Sequence, residues 1–227
     1  MNRYYSLYTE DSGSELHIYG DIRSDDGWFG SESDVSSYRI EQELSGLDTS
    51  KPLTVYINSR GGMVGEGWAI YNQLKRFEKC KTVADGFVAS IASVIFMAGK
   101  EREMSPASML YIHNAWTKTA GNAEQLRKDA DDLDKMTERS AAIYLEHVNI
   151  GEEKLHELMD AETWIDPDEA VEMGFATSKG KESESTQPMQ KLMFKLKKPQ
   201  TQTPPPEPED NPLQKFIKSL ANNRKDD

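Results

Sequence analysis

The sequence predicts an α/β protein in which helices pack against a largely parallel β-sheet. Between residues 16 and 178, short stretches rich in β-branched and aromatic residues alternate with stretches of helical periodicity, and this alternation is typical of such sheets. Residues 53–57 run directly into a turn-forming cluster at residues 58–62 and then into a helix. After residue 178 the sequence becomes polar and proline-rich, so we expect the packed part to end there.

Four short segments are predicted to be strands because β-branched, aromatic and other apolar residues dominate them. They are residues 16–20, 53–57, 82–84 and 109–113. Gly86 is predicted to break the third strand. The following residues 88–98 are small or apolar on every side, so we expect this segment to be buried.

Three helices are predicted from apolar periodicity and from their end signals. The first follows Gly62, the second is long and is capped by Asn122, and the third spans residues 168–173 between Pro167 and Gly174. The apolar face of the first helix comprises Trp68, Tyr71, Leu74 and Phe77, and that of the second comprises Leu126, Ala130, Leu133, Met136, Ala141 and Tyr144.

Length and composition indicate one folded domain with a solvated tail. Only 37% of the 227 residues are hydrophobic, and we expect the polar excess to be local. We assign residues 1–15 to an N-terminal segment, residues 16–178 to the domain and residues 179–227 to a flexible, acidic, proline-rich tail. Residues 213–220 are predicted to form either a docking helix for a partner or a marginal helix in a disordered tail.

Charge and hydropathy exclude several classes of protein. The net charge of -12, with 39 acidic against 27 basic residues, argues against nucleic-acid binding, which needs a basic face. The longest apolar run, residues 87–99, is shorter than the roughly 20 residues that cross a bilayer. Residues 1–10 carry no apolar stretch of signal-peptide length, so we expect a cytoplasmic protein. The single Cys80 allows no intrachain disulfide, and we expect it to be a packing residue.

Ser90 is a candidate nucleophile because it opens the apolar segment at a predicted helix N-terminus. The helix dipole there favours the negative charge of an attacking oxygen. A helix-capping serine explains the same pattern, and both explanations stay open at this point. Ser93 ranks second because, one turn into the helix, it would face its own backbone.

His113 is the candidate general base because it ends a strand and precedes a polar loop, from which its ring could reach a cleft. His17 lies in the first predicted strand. His147 and His156 are predicted to lie on acidic helical surfaces as solvated imidazoles. In isolation, each of the four histidines is equally well explained as structural.

Gly61 and Gly62 lie where a strand ends and a helix begins. Without a Cβ in the way, their N–H groups can point at a developing oxyanion. A purely structural turn explains the pair as well, and the segment lacks the length and the lysine of a phosphate-binding loop.

Four short segments stand out by their order and spacing: YINSRGG at residues 56–62, GFVASI at 86–91, YIHN at 111–114 and ETWIDPDEA at 162–170. Together they resemble the signature blocks of the ClpP-like serine peptidase family, and the resemblance covers about residues 16–178. The ETW triplet and the Gly174-Phe175 pair are similar to those of the phage-encoded branch of that family.

The resemblance implies a role for each matching residue. Ser90 would be the nucleophile, His113 the base, and the N–H groups of Gly62 and Ile91 the oxyanion donors. The match places Glu162 at the third position of the triad, with Asp160 as the rival acid two residues earlier. No metal or cofactor is implied.

The resemblance also implies an architecture and a task. The fold would be the ClpP/crotonase-like superfold of repeated ββα units, assembled through the long helix into heptameric rings or double rings. The activity would be endopeptidase cleavage through an acyl-enzyme, with a substrate strand pairing along residues 114–121. The phage-like features imply scaffold or capsid proteins as substrates during head maturation, in the host cytoplasm or inside the prohead.

Arg60 and Thr177 depart from the family pattern. Arg60 replaces a proline and could loosen the oxyanion loop or contact an acidic substrate, and Thr177 with Ser178 replaces an acidic residue. Because residues 1–13 are short and polar, dependence on an ATPase partner stays open.

Three alternative functions are considered. The first is a general degradative subunit fed by an ATPase unfoldase. The second is a non-peptidase crotonase-like protein that binds acyl thioesters, against which the Ser90–His113 combination argues. The third is a structural capsid protein.

Overall fold

The computed structural model describes residues 5–25 and 34–181. The predicted helix at residues 213–220 and nearly all of the predicted tail lie outside the described residues. The strands are β1 (Tyr5–Glu10), β2 (Gly13–Ile18), β3 (Asp21–Ile22), β4 (Asp34–Val35), β5 (Pro52–Ser59), β6 (Lys79–Ala89), β7 (Glu101–Met104), β8 (Met109–Ile112), β9 (Thr163–Ile165) and β10 (Ser178–Lys179). The helices are α1 (Ser37–Leu44), α2 (Val64–Leu74), α3 (Ile91–Phe96), α4 (Ala123–Leu145), α5 (Glu152–Asp160) and α6 (Pro167–Glu172).

The predicted α/β class is confirmed. Eight of the strands form one sheet in the order β1-β2-β5-β6-β7-β10, with β8 joined to β6 and β9 joined to β8. The central pairs are parallel, whereas β1–β2 and β8–β9 are antiparallel. Strand β2 overlaps the strand predicted at residues 16–20, whereas β1 and the helix α1 were not among the predicted elements.

Strand β6 is longer than predicted and joins two parts of the sheet. The prediction that Gly86 breaks this strand is wrong, because β6 continues to Ala89. The pairing of β5 with β6 instead shifts register between Ile57 and Ser59. In this irregular stretch the Asn58 side chain accepts a hydrogen bond from the Phe87 N–H at 3.1 Å. The first half of β6 pairs with β7 and its last three residues pair with β8.

The segment after β6 is buried, as predicted. All six residues of α3 are buried, and Phe96 and Met97 are among the largest fully buried side chains in the described residues. Helix α2 ends at Leu74, so Phe77 reaches the core from the following loop rather than from the helix. Cys80 is a buried packing residue, and its burial raises the pKa of its thiol to about 12.

The predicted end signals of the last two predicted helices are confirmed. Asn122 and Gln125 form a capping box at the start of α4. Asp166 caps α6 through hydrogen bonds from the N–H groups of Asp168 and Glu169. Asp166 is therefore a structural residue, as the sequence predicts.

Helix α4 leaves most of its apolar face uncovered within the described residues. Ala141 and Tyr144, near its C-terminal end, pack into the core. Leu126 and Met136 are 42% and 37% exposed, respectively. None of the helices in the described residues combines the length and the apolar content needed to cross a bilayer.

The loop that follows β5 contacts strand β3 closely, and this contact predicts the effect of a substitution on stability. A Cβ on Gly62 would lie 2.1 Å from the Ile22 carbonyl oxygen, and Gly62 has a φ of 148°. Gly62→Ala should therefore lower the free energy of unfolding by at least about 2 kcal/mol, measured by urea denaturation. Gly65→Ala is the matched control, because a Cβ there meets no heavy atom within 4 Å. Equal losses in the two variants would contradict this account.

Candidate active site

Ser90 occupies a sharp turn between β6 and α3. Its φ of 57° and ψ of -133° are unusual for a residue with a side chain. The backbone is held on both sides, because the Ser90 N–H donates to the Tyr111 carbonyl at 2.8 Å and the Ser90 carbonyl accepts from the Ser93 N–H at 2.9 Å. The Ser90 side chain makes no capping hydrogen bond. The helix-capping explanation of Ser90 is therefore wrong.

Gly61 packs directly against this turn. A Cβ on Gly61 would lie 2.7 Å from the Ser90 Cβ and 2.5 Å from the Ala89 carbonyl oxygen. Only a residue without a side chain allows such an approach, and the φ of 89° at Gly61 also favours glycine. The Gly61-Gly62 turn is thus fixed beside Ser90 and the start of α3.

Two backbone N–H groups near Ser90 are available to a ligand. The Gly61 carbonyl accepts from the Ile22 N–H at 2.9 Å, and the Met63 N–H donates to the Ile22 carbonyl at 2.8 Å. These bonds tie both sides of Gly62 to β3, so the Gly62 N–H points away from that strand. Within the described residues, neither this N–H nor that of Ile91 donates a hydrogen bond.

His113 follows β8 immediately and shares a cavity with Ser90. The cavity has a volume of about 680 Å³, and both side chains line it together with Gly61 and Gly62. The imidazole is half-buried and its ring centre lies 5.3 Å from that of Tyr111. Within the residues that the structure describes, no hydrogen bond joins His113 to Ser90.

Both candidate acids accept hydrogen bonds from residues other than His113. Glu162 accepts a hydrogen bond from the Tyr111 hydroxyl at 3.1 Å. Asp160 accepts one from the Asn114 side-chain amide at 2.7 Å. The pKa of Tyr111 is raised, mainly by burial and secondly by the Glu162 carboxylate. The Tyr111 hydroxyl therefore stays protonated and donates the hydrogen bond. The structure thus brings Ser90 and His113 into one cavity, whereas neither Glu162 nor Asp160 lines that cavity.

Comparison with known proteins identifies the family. The profile of the Clp protease family matches residues 30–179. The chain belongs to the Clp protease family.

Curated relatives agree with this membership. The ATP-dependent Clp protease proteolytic subunit 2 of Treponema denticola is 33% identical over 135 residues, which are 58% of this chain and 67% of the relative. The ATP-dependent Clp protease proteolytic subunit of Deinococcus radiodurans is 32% identical over 149 residues, 63% of this chain and 72% of the relative. That of Bacteroides thetaiotaomicron is 30% identical over 134 residues, 58% of this chain and 61% of the relative.

Ser93 is buried and does not line the cavity that holds Ser90. Its hydroxyl lies 2.5 Å from the Ser90 carbonyl and 2.7 Å from the Tyr144 hydroxyl. Burial raises the pKa of Tyr144, so the Tyr144 hydroxyl stays protonated. The prediction that Ser93 faces its own backbone is confirmed.

The other three histidines do not line the Ser90 cavity. His17 stacks on Tyr56 with ring centres 4.8 Å apart. His156 on α5 lies 3.8 Å from Glu138. The prediction of a solvated His147 is wrong, because its Nε2 is buried and has no hydrogen-bond partner among residues 5–25 and 34–181. Burial lowers the pKa of His147, and Arg102 lowers it further.

Two carboxylates and one imidazole outside the cavity lie close enough together to share a metal ion. Glu138, Glu152 and His156 place one ligand atom each within 4.8 Å of one another. They lie on the surfaces of α4 and α5, and none of them lines the Ser90 cavity.

Sequence reasoning missed an aromatic wall beside Ser90. Phe87, Tyr111 and Trp164 line the cavity, yet no functional role was predicted for them. The available signal was the alternation of side chains along a strand. Each of the three aromatic residues lies next to a buried aliphatic residue, so its ring is expected on the opposite face of the sheet. A large aromatic residue at the exposed positions of three neighbouring strands is an unusual pattern.

The two departures from the family pattern have different positions. Arg60 is exposed and lines the cavity. Thr177 does not line the cavity. Its hydroxyl and its N–H form hydrogen bonds with the backbone of Arg102 and help to hold β7.

Proposed function

We propose that the protein is a serine endopeptidase in which Ser90 is the nucleophile and His113 is the general base. The Ser90 oxygen attacks a peptide carbonyl, and His113 takes the hydroxyl proton. His113 then gives this proton to the leaving amine as the C–N bond breaks. Water hydrolyses the resulting acyl-enzyme by the same steps and releases Ser90.

The observation that carries this proposal is the backbone conformation of Ser90 inside the cavity. A non-glycine residue with a φ of 57° costs about 1–3 kcal/mol and persists only where its surroundings impose it. A capping or packing serine needs no such conformation. A sharp strand-to-helix turn exposes the side-chain oxygen at the edge of a cavity, as a nucleophile requires.

The N–H groups of Gly62 and Ile91 are proposed to stabilise the oxyanion. Both are free of other acceptors in the described residues, and both lie beside Ser90 through the Gly61 contact. Donors fixed before the reaction stabilise developing charge without reorganisation, and one such donor contributes roughly 2.7–4 kcal/mol.

His113 has to approach Ser90 before proton transfer. Hydrogen bonds between catalytic groups are often long in the free enzyme and tighten when substrate binds. The segment after His113 is held at two points, by the Asn114–Asp160 bond and by the bond from the Ala115 N–H to Thr137 at 3.0 Å. We propose that a substrate strand pairs along residues 114–121 and settles His113 over Ser90.

Glu162 is proposed as the acid that orients His113, with Asp160 as its rival. Glu162 has a φ of 51°, so its backbone is also held in a rare conformation. Its carboxylate is bound to Tyr111, whose ring contacts His113. Asp160 is instead bound to Asn114, the residue after His113.

Scaffold and capsid proteins are the substrates we propose, processed during head maturation in the host cytoplasm or inside the prohead. This proposal rests on the resemblance of the ETW triplet and the Gly174-Phe175 pair to the phage-encoded branch of the family. A general degradative role with an ATPase partner is the second candidate, favoured by the names of the relatives. Cleavage of an unrelated folded protein only with a Clp ATPase and ATP would favour the second candidate.

Ring assembly is proposed for either role. Helix α4 exposes Leu126 and Met136, and a long helix with an apolar face gains stability when a neighbouring subunit covers it. The ring would be a heptamer or a double ring, with the Ser90 cavity of each subunit facing the interior.

Ser90→Ala should lower kcat/KM for an unstructured peptide by at least about 10³-fold, because the acyl-enzyme cannot form. Hydrolysis is followed by mass spectrometry of the products. Ser93→Ala is the matched control, because Ser93 lies in the same helix start but bonds inward. It should lose about 1 kcal/mol of stability and keep cleavage. Equal cleavage by parent and Ser90→Ala would contradict the proposal.

Glu162→Gln should lower kcat for the same peptide by roughly 10²–10⁴-fold, because an amide orients the imidazole wrongly and does not stabilise its cation. Asp160→Asn should have a much smaller effect, since its role is to hold Asn114. A larger loss in Asp160→Asn than in Glu162→Gln would reverse the assignment of the acid.

A further inference from the structure

Arg60 is a cationic side chain without a partner at the edge of the Ser90 cavity. It is exposed and lines the cavity. Within the part of the chain that the structure describes, its guanidinium forms no hydrogen bond, ion pair or ring contact. Arg39, by contrast, binds Asp25 at 2.8 Å. A guanidinium that has no carboxylate of its own chain is available to bind one from another molecule.

The backbone around Arg60 is fixed, although its side chain is free. The buried Ser59 hydroxyl donates to the Gly20 carbonyl at 2.6 Å and accepts from the Gly61 N–H at 3.1 Å. The Gly61 carbonyl in turn accepts from the Ile22 N–H at 2.9 Å. These bonds hold the residues before and after Arg60, so its presence does not loosen the loop. Arg60 presents its charge from a rigid backbone.

Two neighbouring cavities meet at Arg60. One holds Ser90, and the other has a volume of about 420 Å³. The second cavity is lined mainly by polar residues, which are Tyr19, Asp21, Asn58, Ser59 and Arg60. Because Asp21, Arg60 and Phe87 line both cavities, a peptide bound at Ser90 can place a nearby polar side chain in the second cavity.

The charges around the two cavities leave Arg60 as the group without a counter-ion. Among the described residues that line them, Arg60 is the one lysine or arginine and Asp21 is the one carboxylate. The Asp21 carboxylate lies 3.4 Å from the Arg23 guanidinium. Asp85 accepts a hydrogen bond from the hydroxyl of Tyr19 in the second cavity. Both nearby carboxylates thus have donors of their own.

The two segments that would flank a bound substrate carry positive charge and no acidic residue. They are residues 58–64, which contain Arg60, and residues 114–121, which contain Lys118. The whole chain carries a net charge of -12, so these segments reverse its overall sign. Because complementary charge decides which partners an interface accepts, this reversal favours an acidic substrate.

We propose that Arg60 selects substrates by binding the carboxylate of a glutamate or aspartate within about three residues of the scissile bond. The inference rests on the peptidase function proposed above. Arg60 immediately precedes the two glycines beside Ser90, and an extended substrate advances about 3.3 Å per residue, so the guanidinium reaches only nearby positions. A guanidinium binds a carboxylate through two parallel N–H···O hydrogen bonds, which a neutral amide cannot match.

The test uses a peptide that the parent cleaves, with glutamate or glutamine placed in turn at each nearby position on both sides of the scissile bond. The two side chains have nearly the same size and differ in charge. The parent should prefer glutamate at one position or more by roughly three- to tenfold in kcat/KM at low ionic strength, as expected for a charged hydrogen bond partly exposed to water. Added salt should reduce this preference, because ions screen exposed charges.

Substitutions at Arg60 should change the preference according to charge. Arg60→Gln should abolish it, Arg60→Lys should keep part of it, and Arg60→Glu should favour lysine over glutamine at the same position. Arg139→Gln is the matched control, because Arg139 is an exposed arginine on α4 that lines neither cavity. It removes the same net charge and should leave the preference unchanged.

Three results would overturn the inference while leaving the peptidase function intact. The first is a parent that cleaves glutamate and glutamine peptides equally at every position, and the second is a preference that survives in Arg60→Gln. The third is an equal loss of the preference in all three Arg60 variants or in Arg139→Gln, which would assign it to the loop or to net charge. A parent that cleaves no peptide and whose Ser90 reacts with no fluorophosphonate would refute the proposed function, and the inference with it.

Discussion

The close contact between Gly61 and Ser90 constrains most of the site. The loop after β5 reaches the turn between β6 and α3 only because Gly61 has no side chain there, with the Ala89 carbonyl and the Ser90 Cβ occupying that space. The same contact brings Gly61 close to the backbone nitrogen of Ile91, while β3 holds Gly62. The proposed nucleophile, the proposed oxyanion donors and the strained turn are thus parts of one packed unit, and its rigidity offsets the cost of the Ser90 conformation.

Local sequence signals predicted much of the sheet and the caps of α4 and α6. Asn122 and Asp166 have the capping side chains at the positions that the sequence requires. The continuation of β6 through Gly86 was not predictable locally, because it depends on the Asn58 side chain from another strand. The strand β1 and the helix α1 were missed for a similar reason, since tertiary packing rather than intrinsic propensity decides short, polar elements.

The site was predictable to different degrees. Ser90 and His113 are ambiguous in isolation, and only the order of the four sequence blocks distinguished them from structural residues. The hydrogen bonds of Glu162 and Asp160 to Tyr111 and Asn114 are tertiary contacts that no spacing rule contains. The positions of Phe87, Tyr111 and Trp164 in the cavity could not be predicted without the strand register, because a shift by one residue would turn those rings to the other face of the sheet.

The account depends most on an activated Ser90. The decisive measurement treats the purified full chain with a fluorophosphonate probe and locates the adduct by peptide mass spectrometry, with Ser90→Ala as the control. The account predicts an adduct on Ser90 that is lost in Ser90→Ala, and a labelling rate that falls when His113 is replaced. An assembled, folded protein in which Ser90 stays unlabelled, or an adduct that persists in Ser90→Ala, would contradict it.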